Sequence, residues 1–146
     1  MKKVLFLLLI IFLFLSACGN ELEYDIWKDT MEAFGNGLYQ IMHGYDGDEA
    51  IESLHNCKHN QCVITKINNY TEKGNYVYFV GHYHTQRVFC KLNIETNLLS
   101  YYVEENGNEF IMVYVEKLLE DKQIELLSSF DDFSKEDKEE FEYLIK

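Results

Sequence analysis

Residues 63–104, VITKINNYTEKGNYVYFVGHYHTQRVFCKLNIETNLLSYYVE, are rich in β-branched and aromatic side chains that alternate with polar ones. The spacing predicts four strands, Val63–Tyr70, Tyr76–His84, Arg87–Glu95 and Leu98–Glu104, separated by Thr71–Asn75, Thr85-Gln86 and Thr96-Asn97. A two-residue turn at Thr85-Gln86 would pair Tyr83 with Val88, Gly81 with Cys90, Phe79 with Leu92 and Val77 with Ile94. The next turn sets Leu99, Tyr101 and Val103 on that same face, and a five-residue first loop adds Val63, Thr65 and Ile67. The expectation is a four-stranded antiparallel meander with one apolar face.

Outward from this meander the period changes. Trp27, Met31, Phe34, Leu38, Ile41 and Met42 recur at steps of mostly three and four, which predicts a helix ending near His43-Gly44, although Gly35 and Gly37 weaken its second half. Asp48–His55 reads as a second short helix capped by Asp48, with Ile51 and Leu54 inward. Beyond the meander, Phe110, Ile111, Tyr114, Val115, Leu118 and Leu119 predict a helix over Glu109–Asp121. Gln123–Leu127 is a further short strand or an extension of the packing layer. Ser134 with Asp137 forms a capping box for a terminal acidic helix carrying Phe141, Leu144 and Ile145. The expected fold class is therefore α+β: N-terminal helices, a four-stranded antiparallel meander and C-terminal helices, as one domain over residues 24–146.

The chain has 146 residues, with 25 acidic side chains against 13 basic ones. Its first 17 residues contain no acid, two lysines and an unbroken apolar run from Val4 to Leu15. Such a run spans about 18 Å as a helix, too short for a hydrocarbon core of about 30 Å, so it reads as an export signal over residues 1–17. Without it the chain carries 11 basic and 25 acidic side chains, a net charge of −14. That surface argues against nucleic acid as a partner, and the apolar content argues against a disordered chain. The segment Leu15-Ser16-Ala17-Cys18-Gly19 resembles the lipobox of bacterial lipoprotein precursors. The resemblance covers the first 19 residues and implies a diacylglycerol thioether on Cys18 followed by cleavage just before it. It also implies a short lipidated tether over residues 18–23, and a domain at the outer face of the cell membrane or at an outer membrane.

The chemistry-bearing residues concentrate in His55, Cys57, His59 and Cys62, followed by His82 and His84. Imidazole and thiolate ligate zinc or copper, and a five-residue first loop would set Cys62 opposite His84 on the face away from the core. The spacing matches no standard zinc signature, and an exported Cys57 and Cys62 can instead close a small disulfide loop, leaving Cys90 as a buried thiol. Cys62 with His84 is also the one candidate pair for hydrolase chemistry, without a legible third group. The outer sheet face would display Tyr76, Tyr78, Arg87, Phe89 and Tyr102. Uncovered, this is an interaction face; under the end helices, it is a second core layer. The acidic run Asp131–Glu142 reads as a solvated helix face. The leading expectation is a lipid-anchored extracytoplasmic module that binds an envelope protein or ligand. A surface metal-binding protein is the alternative, and an envelope hydrolase the weaker one.

Overall fold

Two consecutive sheets hold about half of the residues that the computed structural model describes, 22–104 and 115–146, so the fold is mostly β. The leader, Cys18 and the first part of the helix expected from Glu109, with Phe110, Ile111 and Tyr114, lie outside the described residues. The first sheet is an antiparallel meander of β1 (Thr30–Phe34), β2 (Tyr39–Asp46), β3 (Glu49–Asn56) and β4 (Gln61–Ile64). The second holds β5 (Lys66–Lys73), β6 (Tyr76–Tyr83), β7 (Gln86–Asn93) and β8 (Leu98–Val103), with β9 (Ile124–Leu126) added parallel to β8. The helices are α1 (Glu116–Glu120), a 3-10 turn at Phe130–Asp132, and α2 (Lys135–Leu144).

This architecture corrects the expected α+β arrangement, since both predicted N-terminal helices are strands. Gly35, Asn36 and Gly37 have φ of 56°, 56° and 86°, three left-handed residues in succession that no helix accommodates. They fold the chain into the β1–β2 hairpin, and the helical spacing of Trp27 to Met42 is coincidental. Asp48 caps nothing; Gly47-Asp48 is the two-residue turn joining Asp46 to its partner Glu49. From Tyr76 to Val103 the meander follows expectation, with a corrected register. The turn is His84-Thr85, and Phe79 pairs with Cys90 and Val77 with Leu92. The slip is two residues, so each side chain keeps its face.

The predicted first strand is divided between the sheets at Thr65. Its amide and hydroxyl both donate to the His82 carbonyl, and the same hydroxyl accepts from the His84 amide. The crossing runs so close to β6 that a Cβ on Gly81 would lie 2.4 Å from the Lys66 carbonyl oxygen. One main core fills the space between the sheets, including Tyr39, Ile41, Leu54, Ile64, Phe79, Cys90, Leu99 and Tyr101. Across it, the Tyr101 hydroxyl donates to the Val63 carbonyl at 2.7 Å. At an edge, Tyr70 on β5 donates to Glu32 on β1.

Each sheet's outer face is covered too. Over the first, Gln40 is fully buried and binds the preceding segment: its amide nitrogen donates to the carbonyls of Asp25 and Gly37, and its oxygen accepts from the Trp27 amide and the Thr30 hydroxyl. Over the second lies α2, which buries Phe141 and Leu144 against Tyr78, Val80 and Phe89. Of the two readings of this face, the second core layer holds for Tyr78 and Phe89, with Tyr76 and Tyr102 packed against them, while Arg87 stays beyond the cover. The predicted Ser134–Asp137 capping box is present, and Asp137 also accepts from the Tyr78 hydroxyl at 2.8 Å and pairs with Lys91 at 2.8 Å. Burial pushes the Asp137 pKa up, but the hydrogen bonds from Lys91, Tyr78 and Ser134 and the Lys91 charge outweigh it and hold the carboxyl below its usual range.

Two expectations follow from these contacts. Gly81→Ala should cost about 2 to 3 kcal/mol, because backbone rather than a flexible side chain must move; an unchanged urea midpoint would contradict the close crossing. Because the folded-state pKa of Asp137 is depressed, its contribution is present above the unfolded value of about 3.9 and is lost as pH falls through the lower, folded one. Asp137→Asn should therefore be less stable by about 1 to 3 kcal/mol at pH 6 and converge with the parent near pH 2. A constant gap across that range would show that the carboxylate charge is not what holds α2.

Candidate functional site

The outer face of the second sheet is built in cross-strand rows. Tyr78, Lys91 and Ser100 form one row, Val80, Phe89 and Tyr102 the next, and His82, Arg87 and Glu104 the last. The helix α2 covers the first two rows and stops. Its C-terminal end is held by the Asn69 side-chain amide, which donates to the Leu144 carbonyl at 3.3 Å. Past that end, a cleft of about 470 Å³ opens over the third row. Val80, Leu144 and Ile145 form its apolar side, while the hairpin turn contributes Thr85 and Gln86.

The polar side is more distinctive. His82 and Arg87 are direct cross-strand partners, and Arg87 lies opposite Glu104, whose amide donates to the Arg87 carbonyl at 2.9 Å. A bulge at Asn68 brings its side-chain oxygen 2.7 Å from His82 Nδ1, which fixes the ring. Arg87 is the only arginine in the chain. Its guanidinium sits 5.7 Å from the centroid of the Phe89 ring, and among the described residues it has no carboxylate partner. Lys66, at the far end of the same row, is paired with Glu49.

The other predicted site residues do not converge. His55 lies on the outer face of the first sheet, 3.0 Å from the Ser53 hydroxyl and edge-on to Trp27, and burial lowers its pKa. His59 and Lys58 both bind Asp121, at 2.9 and 2.5 Å, and hold its carboxyl below the usual range. His84 occupies the tight turn with φ 53° and packs against Tyr83. Cys62 faces His55 across the β3–β4 ladder, not His84, which removes the geometry expected for a hydrolase pair. Among the described residues no group of three or more His, Cys, Asp or Glu is arranged to hold a metal ion. Of the predicted metal ligands only His82 lines the cleft, and of the predicted interaction face only Arg87 does. Asn68, Gln86, Glu104, Leu144 and Ile145 were not anticipated. The one signal in the sequence was the solitary arginine in a strongly acidic chain. Set against known proteins, the chain matches no family model, no curated protein and no solved structure.

Cys57, Cys62 and Cys90 are all free thiols, so the expected Cys57–Cys62 bridge is not formed. Burial pushes Cys57 up to about 11 and Cys62 up to about 12, and raises the fully buried Cys90 well above the ordinary thiol value. At pH 8 the thiolate is then about one part in a thousand at Cys57 and about one in ten thousand at Cys62. Alkylation by iodoacetamide, followed by mass spectrometry, should modify Cys57 first, Cys62 far more slowly and Cys90 only on unfolding. Labelling of native Cys62 as fast as a free thiol would contradict this order.

Proposed function

We propose that this chain is a small binding protein of the bacterial envelope, held by a lipid on Cys18, whose ligand site is the cleft past the end of α2. The observation that carries the reading is Arg87. In a chain of net charge −14 without its leader, the one arginine stands half-buried in the cleft, braced by Phe89, with no carboxylate among the described residues neutralising it. A guanidinium so placed is a ready receptor for an anionic group. The cleft volume lies within the range of about 300 to 1,000 Å³ usual for small-molecule sites.

The anchoring half of the proposal rests on the charged start, the short apolar run and the lipobox-like Leu15–Gly19. Two acyl chains give stable attachment where one is marginal. Net negative charge keeps the domain off anionic headgroups. Residues 25–29 cross the outer face of the first sheet, whereas the cleft opens on the outer face of the second.

Both halves are testable. Cys18→Ser should abolish fatty-acid labelling and release the protein from membranes; an unchanged membrane fraction would overturn the anchor. A thermal-shift panel of amino acids, sugars, nucleotides, short peptides and phosphate should contain a compound that raises the melting temperature of the parent by several degrees at saturation but not that of Arg87→Gln. A panel that shifts neither protein, or both alike, would overturn the cleft as the site.

A further inference from the structure

The charges in the cleft specify more than an anion. Arg87 on β7 and Glu104, the residue just past the end of β8, occupy directly opposed positions and project from the same face, and both are half-buried. Yet neither forms an ion pair with the other or with any described side chain. Opposite charges this close in sequence register ordinarily find one another. Here the guanidinium is drawn instead over the Phe89 ring, leaving a cation and an anion on opposed positions with no side-chain partner among the described residues.

We infer that the cleft takes a free α-amino acid with an apolar side chain, its carboxylate on the Arg87 guanidinium and its ammonium on the Glu104 carboxylate. This rests on the cleft being the ligand site. A zwitterion matches both groups at once, whereas a dianion such as phosphate would place its second charge beside Glu104. The field of the whole domain points the same way: a net charge of −14 repels free anions but not a neutral zwitterion. The third specificity element is apolar. Val80 and Leu144 border the cleft but are themselves buried, so the accessible apolar wall is Ile145 at the end of α2, 47% exposed and therefore able to lose water-facing area when a side chain docks against it. Thr85 and Gln86 border the same space with further hydrogen-bonding groups.

Calorimetric titration of the full chain in detergent separates the alternatives. L-leucine should bind. Leucinamide, which lacks the carboxylate, and 4-methylpentanoate, which lacks the ammonium, should each bind about tenfold or more weakly. Inorganic phosphate and leucyl-leucine should also be weaker than leucine. Arg87→Gln should abolish leucine binding, and Arg87→Lys, which keeps the charge but not the planar fork, should weaken it. Glu104→Gln should remove the preference for leucine over 4-methylpentanoate, a change in ratio that mere loss of folding does not produce. Equal binding of leucine and either truncated analogue, or a preference for phosphate or leucyl-leucine, would overturn the assignment. If leucine is silent while another panel compound still requires Arg87, the ligand class fails and the binding role stands. If no compound requires Arg87, both fail.

Discussion

One carboxylate decides where the second sheet is covered and where it is left open. Asp137 caps its own helix through Ser134 and, from the same side chain, receives Tyr78 and Lys91 of the sheet beneath. The first turn of α2 is thereby pinned over the row that contains Tyr78 and Lys91. A helix of ten residues advances about 15 Å. Its last residues consequently end beside the row of His82 and Arg87, where Asn69 holds the Leu144 carbonyl. The cleft is what remains of the sheet beyond that fixed end. Moving the pin by one row would either bury Arg87 under the helix or strip Val80 and Phe89 of their cover.

The opposite face is closed by a comparable device. Gln40 spends its amide hydrogens on two carbonyls of the N-terminal segment and turn, and its oxygen on two donors, so a fully buried polar group costs little. With the core shared between the sheets, the segment over one outer face and α2 over the other, the thiols and most of the histidines are absorbed into packing and surface pairs. Desolvation raises all three described thiols, and the fully buried Cys90 is simply part of the core. Among the described residues, the chemistry left lining a cleft is that of Arg87 and its neighbours.

Much of the second sheet was legible because alternation from Tyr76 to Val103 is a direct imprint of one buried face on a pleated backbone. The exact register was not, because His84 takes a left-handed conformation that its residue type does not announce, which moves the turn back by one residue at each end. Faces survive such a slip, but neighbours do not. With the turn at Thr85-Gln86, His82 would have met Phe89, and its true partnership with Arg87 would have been lost. The first sheet was misread for a different reason: Glu49–Asn56 contains good helix formers, and only pairing with β2 makes it a strand. Gly35-Asn36-Gly37 was the local sign of a hairpin, and it outweighs the helical spacing around it. The apolar wall of the cleft was illegible in principle, since where Leu144 and Ile145 land depends on the long-range contacts of Asp137 and Asn69.

Because the chain has a single arginine, its guanidinium can be observed without ambiguity. The most direct measurement is the Arg87 Nε–Hε resonance in a nitrogen-15 correlation spectrum of the full chain titrated with L-leucine. A carboxylate received by the guanidinium should move that one resonance downfield with saturation and slow its exchange with water. Binding that perturbs backbone amides while this resonance stays in place would contradict the account.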